Sequence, residues 1–248
     1  MLRTAIPIHL PRIQHVMDMV LETRVPAQKV GQWMDILRAT EYKLRDGYIR
    51  PSYRQSEDTG GWYTRSPNLQ GLRDWMLAEL IDDKALMSCD YTAMHPAVAG
   101  WLLQDKQMMD AYRNGSVYEP INEISPNGKV AMLALMNMAS VKCIAERCCE
   151  GDMDVANELV ENVYACYPLV KRMHGNKEMG DSMRRLAYSV FNKKVLAIKR
   201  KVKIYLMKHD EMLYVGDKKG FDINMGDFVI RSKHKSADEL KESRHEDL

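Results

Sequence analysis

The chain has 248 residues, of which 46% are hydrophobic and 28% are charged, and its formal net charge is +2. This composition is ordinary for a globular protein, and no apolar run approaches the ~20 residues that a membrane-spanning helix needs. The small net charge excludes a basic field over the whole surface, so any contact with nucleic acid must come from local patches.

The N-terminal third predicts helices followed by a loop-rich stretch. Residues 12–46 predict two helices that break near Val25-Pro26, because a proline disfavours helical backbone in the residue before it. Residues 47–70 are rich in Gly, Ser, Pro and Asn, which predicts loops with a short strand. Apolar residues return at helical spacing over 72–81.

Two strand-like apolar runs, 85–88 and 202–207, are separated by a long helical stretch. The predicted helices between them are one over 96–114 that Gly115 ends, one from near Lys129, one over 154–173 with Tyr167-Pro168 inside it or marking a kink, and a basic one over 178–200. Strands around two tight turns follow over 202–230, and the polar residues after Arg231 predict a loose tail. This order predicts an α+β fold whose helices are mostly inserted between the strands of a sheet.

A short turn that contains an aspartate follows each strand-like run. Asp90 and Asp210 are about 120 residues apart in the chain, so only folding can bring their carboxylates together. Two such carboxylates could hold two divalent metal ions ~3.5–4 Å apart, which is the arrangement that stabilises the attacking and the leaving oxygen in phosphoryl transfer. The simpler interpretation is that each aspartate only ends a strand, since aspartate favours turns.

Six segments, in the same order, resemble the polymerase core of the family A (DNA polymerase I-like) DNA polymerases. Asp90-Tyr91-Thr92 resembles the family's motif A, and His209-Asp210-Glu211 resembles its motif C. The remaining segments that carry the resemblance are 59–60 with 66–70, 110–115, the fingers helix at 129–140, and 163–171. The resemblance implies a right-hand palm built on a small antiparallel sheet with helices, helical fingers and a reduced helical thumb.

The resemblance also implies how the chain is divided. Residues 1–46 would be a thumb remnant, 47–230 the palm and fingers, and 231–248 a polar tail. The chain has no room for a proofreading nuclease domain, and a minimal polymerase of this kind resembles those of phages or mobile elements. We therefore expect a location in the cytoplasm or nucleoid of a bacterial host cell, with no membrane partner.

Each candidate residue takes its implied role from the matching family position. Asp90 and Asp210 would be the catalytic carboxylates that hold two Mg²⁺ or Mn²⁺ ions, with Tyr91 and Glu211 as further ligands. The residues that would contact the nucleoside triphosphate are Lys129, Leu133, Asn137 and His95. The residues that would contact the DNA primer-template are Asn68, Gln70, Arg65, Arg185, Lys193 and His209.

The position of Lys129 in the chain also supports its role as a triphosphate contact. It follows a turn at Pro126-Asn127-Gly128 and so falls in the first turn of the predicted helix. A lysine is unfavourable there because of the helix dipole, whereas main-chain N–H groups at a helix start favour phosphate. A triphosphate partner would account for the lysine, although an ordinary first-turn lysine is the simpler interpretation.

Departures from the family's pattern concern the choice of sugar. His95 stands where the family has a glutamate, and Asn137 stands where it has a tyrosine. Those two family residues close the space beneath the sugar, so this chain would tolerate a ribose. Leu133 replaces a stacking aromatic residue, and Ser125 replaces an arginine that contacts the triphosphate.

Three hypotheses follow for the function. The first is a minimal template-directed DNA polymerase. The second is a primase-like or ribonucleotide-tolerant polymerase of a mobile element, which the altered sugar positions favour. The third is a non-catalytic nucleic-acid-binding subunit, against which the presence of Asp90, Asp210 and Lys129 argues. The small thumb makes an accessory protein for priming or processivity plausible.

Overall fold

The computed structural model describes residues 5–56, 61–81, 83–199, 202–208, 211–216 and 220–248, with backbone only for residues 205–208. In this part of the chain, helices and small antiparallel sheets combine as the predicted α+β fold. No helix among the described residues is long and apolar enough to cross a membrane.

The predicted break between two N-terminal helices is confirmed. Helix α1 spans Leu10–Leu21 and α2 spans Ala27–Lys43, with Pro26 as the residue before α2. The buried residues of α1 recur every three or four positions, at Ile13, Val16 and Val20. This spacing places them on one face, which packs into the core.

The described strands are short, apart from those of one sheet. They are β1 Ile6–Pro7, β2 Tyr48–Ile49, β3 Tyr53–Gln55, β4 Trp62–Thr64, β5 Leu86–Tyr91, β6 Lys203–Lys208, β7 Glu211–Val215, β8 Ile223–Asn224, β9 Val229–Ile230 and β10 Ser232–Ser236. The four-stranded sheet has the order β10-β5-β7-β6, and its neighbouring strands are antiparallel. Strands from distant parts of the chain therefore meet at β5.

The helices that follow are α3 Asp74–Ile81, α4 Met94–Leu102, α5 Lys106–Arg113, α6 Glu119–Asn122, α7 Gly128–Met136, α8 Val141–Cys148, α9 Met153–Cys166, α10 Pro168–His174, α11 Lys177–Lys199 and α12 Ala237–Glu242. Of the two alternatives predicted for Tyr167-Pro168, the break is the one observed, because α9 ends at Cys166 and α10 begins at Pro168. The single helix predicted over 96–114 is wrong, because two helices occupy that stretch. Gln104 has a φ of 51°, and the Asp105 carboxylate accepts the Met108 N–H as an N-cap at 3.0 Å.

The prediction of a loose tail after Arg231 is also wrong. Strand β10 pairs along its whole length with β5, and α12 begins with a capping box in which Ser236 and Glu239 bond each other's main chain. Close to the C-terminus, the buried Asp247 carboxylate accepts the Trp75 Nε1–H at 2.9 Å and pairs with Arg73 at 3.1 Å. Polar residues form this segment because an edge strand and a capped helix need few apolar side chains.

The described residues divide into two compact units. The sheet unit comprises those within Met1–Thr92, Phe191–Ile223 and Arg231–Leu248, and the helical unit comprises Ala93–Val190 and Asn224–Ile230. Helix α11 contributes its first part to the helical unit and its last part to the sheet unit. The division into thumb remnant, palm with fingers, and tail stays a prediction.

Candidate active site

Asp90 lies in the second-last position of β5, and its side chain is exposed. Its direct partner on one neighbouring strand is Glu211, the first residue of β7. Its direct partner on the other is Lys233 of β10. Because directly opposed residues of antiparallel strands project from the same face of a sheet, three charged side chains form a row across this face.

Glu211 is held in that row by a buried hydroxyl. Ser88, two residues before Asp90 on the same face of β5, donates its Oγ–H to Glu211 Oε1 at 2.6 Å. Ser88 is 4% exposed, and its bond to a carboxylate is of the strong, charge-assisted kind. This bond fixes the Glu211 carboxylate beside Asp90.

On the opposite face of the sheet, Cys89 and Tyr91 are buried. The Tyr91 hydroxyl donates to the Phe221 carbonyl at 2.8 Å, and its ring meets Phe191 edge-on. Burial raises the pKa of Tyr91, and burial together with the Asp90 charge raises the pKa of the Cys89 thiol to about 12. Neither side chain ionises near neutral pH, so the charged side chain of β5 is the exposed Asp90. A metal contact by Tyr91 would have to come from its main-chain carbonyl.

The second predicted carboxylate lies outside the described residues. Strand β6 ends at Lys208 and β7 begins at Glu211, and these two residues are paired. His209 and Asp210 stand between them in the sequence, so the predicted Asp90–Asp210 pair and the predicted contact of His209 with the primer-template stay predictions. Among the described residues, no group of three or more His, Cys, Asp and Glu side chains could hold a metal ion.

Lys129 lies in the first turn of α7, as predicted. Its main-chain N–H donates to Asn122 Oδ1 at 3.1 Å, and its ammonium lies 5.2 Å from the centre of the Tyr118 ring. A Cβ on Gly128 would lie only 2.6 Å from the Ile121 main-chain oxygen, so the helix can start here only with glycine. The exposed ammonium is thus presented by a tightly built turn.

The predicted sugar-contacting residues have separate surroundings in the helical unit. Asn137 ends α7, and its exposed side-chain amide donates to the Leu133 carbonyl of the last turn at 2.8 Å. Leu133 is half-buried. The half-buried His95 lies in the first turn of α4, where its ring meets Tyr188 edge-on with centroids 5.8 Å apart. Their contact with a nucleotide stays a prediction.

The predicted template contacts before β5 differ in their environment. The side chain of Gln70 bonds within the protein. Its Oε1 accepts the Thr64 main-chain N–H at 2.8 Å, and its Nε2 donates to the Trp62 main-chain carbonyl at 3.0 Å. Asn68 is exposed and accepts the Thr64 hydroxyl at 2.8 Å. Arg65 is exposed. Gln70 therefore has a local role in supporting β4, whatever it contacts besides.

The basic helix is confirmed as α11, and both of its predicted contact residues, Arg185 and Lys193, are exposed. They are eight residues apart on a helix whose buried residues include Met183, Ala187 and Phe191. An exposed basic face is compatible with a phosphate backbone, and equally with a solvated surface. Their role stays a prediction.

Sequence reasoning missed Ser88 and Lys233 as neighbours of Asp90. Ser88 was within reach, since it belongs to the strand-like run before Asp90. Lys233 lies in a segment, Ser-Lys-His-Lys-Ser, that has no apolar residue and so lacks the apolar–polar alternation of a strand. A cavity of about 310 Å³ bounded by Arg73, Trp75 and Asp247 was also missed, and it does not include Asp90.

Comparison with known proteins supports one fold. No protein-family model matches the chain, and no curated protein matches it. Among solved structures, the chain is similar to the POL domain of Pol1 from M. smegmatis in complex with DNA primer-template and dNTP, with a TM-score of 0.60 and 15% sequence identity. The match covers 91% of this chain and 56% of that chain, so this chain spans little more than half the polymerase domain. At this identity the similarity establishes the fold alone: the chain has the fold of a DNA polymerase POL domain.

Proposed function

We propose that this chain catalyses template-directed nucleotidyl transfer, as a DNA polymerase of family A type. The observation that carries the proposal is the presentation of Asp90 on the exposed face of the sheet, in register with Glu211, within a fold similar to a polymerase domain bound to primer-template and dNTP. In the proposed reaction, the primer's 3′ oxygen bonds to the α-phosphorus of the nucleotide while the bond to pyrophosphate breaks.

The donor set suits a hard divalent cation. Carboxylate oxygens are the ligands that Mg²⁺ prefers, and Asp90 supplies one exposed carboxylate with Glu211 next to it. Asp210 directly precedes Glu211 in the sequence, and we propose it as the second catalytic carboxylate. Two Mg²⁺ or Mn²⁺ ions would neutralise charge on the attacking and the leaving oxygens.

The protein's own residues would bind and orient the substrates. Lys129 would neutralise charge on the triphosphate, exchanging its contact with the Tyr118 ring for one with phosphate. Asn68, Arg65, Arg185 and Lys193 would hold the primer-template, and Asn137 and His95 would lie near the sugar. The assignment of residues 1–46 as a thumb remnant, a phage or mobile-element origin, and an accessory protein for priming or processivity belong to the same proposal.

A ribonucleotide-tolerant or primase-like polymerase is the second candidate. The observation that favours it is the side chain of Asn137, which is short and bonds back to the Leu133 carbonyl of its own helix. A side chain held in this way leaves more room for a ribose 2′-hydroxyl than a tyrosine would.

Primer extension by the purified protein tests both candidates. A labelled primer on a template, and the same template without a primer, are incubated with dNTPs or NTPs and with Mg²⁺ or Mn²⁺. Extension that follows the template sequence supports a polymerase, and synthesis without a primer or from NTPs supports the second candidate. Absence of product under all conditions, with nucleic acid still bound, would leave the non-catalytic subunit as the better hypothesis.

A further inference from the structure

The row of charged side chains across the sheet has a basic member. Lys233 is the direct partner of Asp90 in the β10–β5 pair, and directly opposed residues have Cβ atoms about 4.5–5.5 Å apart. Both side chains are exposed. Lys233 therefore projects beside Asp90 from the same face.

Hydrogen bonds on the opposite face fix the orientation of Lys233. The main-chain N–H and the hydroxyl of Ser232 both donate to Asp222 Oδ1, at 2.7 and 2.9 Å. His234, which follows Lys233 in the strand, also contacts this face, with its Nδ1 3.1 Å from the Tyr214 hydroxyl. Since successive residues of a strand alternate between faces, anchoring residues 232 and 234 on one face holds Lys233 on the other.

The segment that anchors Ser232 is itself held in place. The Lys194 ammonium of α11 donates to the Asp222 carbonyl at 2.6 Å, and the Thr92 N–H donates to the Arg231 carbonyl at 3.1 Å. The strand is thus fixed directly before Lys233. Only the long, flexible lysine side chain remains free to adapt to a ligand.

No carboxylate in the described part of the chain pairs with the Lys233 ammonium. An ammonium next to a carboxylate row repels a metal cation but attracts an anion that the metal brings with it. A phosphate group is the anion that a nucleotidyl transferase brings to such a row. We propose that Lys233 is a substrate-binding residue that contacts a phosphate group held beside Asp90; this inference rests on the proposed function.

Comparison with Lys235 distinguishes phosphate binding by Lys233 from the ordinary protective role of a lysine on an edge strand. In the four-stranded sheet, β10 is an edge strand, and edge lysines commonly protect a sheet from pairing with another chain. Lys235 is exposed on the same strand and on the same face, but its partner on β5 is Ser88. Both lysines serve edge protection equally, whereas only Lys233 is opposite Asp90.

The test compares Lys233→Met with Lys235→Met, which remove the same charge from the same strand. We expect Lys233→Met to lower either kcat/KM for the nucleotide or affinity for the primer-template by about 10- to 100-fold, the usual cost of a lost charged hydrogen bond. Lys235→Met should change each by less than about 2-fold, and Lys233→Arg should restore most of the loss because it keeps the charge. Equal thermal midpoints of the variants would show that the fold is unchanged.

The two readouts identify the source of the phosphate. A loss confined to nucleotide kcat/KM assigns it to the incoming nucleotide. A loss in primer-template affinity, with a salt dependence shallower by about 0.7–0.9 in log–log slope, assigns it to one phosphate of the nucleic acid. Equal effects of Lys233→Met and Lys235→Met in both readouts would overturn the proposal.

The same design separates this inference from the proposed function. If the wild-type protein adds no nucleotide, the proposed function fails, but equilibrium binding of a primer-template and of a nucleotide still compares the two lysine variants. If the wild-type protein is active and the variants do not differ, only the role of Lys233 fails.

Discussion

The candidate residues of the sheet unit come together from distant parts of the chain, whereas those of the helical unit are held by neighbours in sequence. Ser88 and Glu211 are 123 residues apart in sequence when they bond beside Asp90. Lys129 and Asn122 are 7 residues apart. A site that depends on strand register forms only when the whole sheet forms, whereas a site within one turn can be altered residue by residue.

The largest expected effect concerns the sheet. Asp90→Ala and Asp210→Ala should each lower the rate of nucleotide addition by at least about 100-fold, the scale on which a preorganised charge-stabilising group acts. Binding of primer-template should change little. Asp18→Ala, which removes an exposed carboxylate from α1, is the control. If either variant kept the wild-type rate, the aspartate that it replaces would not be part of the catalytic site.

The second prediction examines the helical unit. Lys129→Ala should lower kcat/KM for the nucleotide by about 10- to 100-fold, as expected for a lost contact with a charged group, and leave primer-template affinity nearly unchanged. Lys142→Ala, on the neighbouring helix α8, is the matched control. Equal losses in nucleotide use and template binding would instead indicate a general contact with nucleic acid.

The third prediction concerns the choice of sugar within the helical unit. Asn137→Tyr combined with His95→Glu should raise the preference for dNTPs over NTPs by about 10-fold, because a bulky ring rejects an added hydroxyl by clash. The change should appear as a lower kcat/KM for NTPs. A wild-type protein that already excludes NTPs as strongly as a replicative DNA polymerase would contradict the ribonucleotide-tolerant hypothesis.

The smallest effect on activity, and a clear effect on stability, should come from the end of the chain. Asp247→Ala leaves the buried Trp75 Nε1–H without its acceptor, which costs about 1–3 kcal/mol and lowers Tm by several degrees. Glu246→Ala, at an exposed neighbour, should have almost no effect. In Asp247→Ala, amide hydrogen exchange should become faster in the sheet unit more than in the helical unit. Equal changes in both units would contradict the division of the chain into these two units.

Local signals in the sequence were sufficient for most helices. Pro26 separates α1 from α2, and Gly115, with a φ of 76°, follows the end of α5. The break before α5 was also within reach, because Asp105 is a strong N-cap residue. These features depend on a few consecutive residues, and a sequence displays them directly.

Long-range pairing explains what the sequence did not reveal. Nothing local to Lys233 states that it will be opposite Asp90, since a slip of one residue would turn it to the other face. The burial of Asp247 has the same origin, because its partners Arg73 and Trp75 lie 174 and 172 residues earlier in the chain. The resemblance to a polymerase family identified Asp90 as a candidate, but it did not identify the residues of β10 that lie next to it.

The central claim is that Asp90 and Asp210 form one two-metal site, and Mn²⁺ binding measured by electron paramagnetic resonance tests it most directly. The protein would be assayed with a primer-template whose primer lacks a 3′-hydroxyl and with the matching dNTP, so that no turnover occurs. We expect two bound Mn²⁺ ions per wild-type chain and a loss of binding in both Asp90→Asn and Asp210→Asn. Unchanged Mn²⁺ binding in either variant would contradict the account.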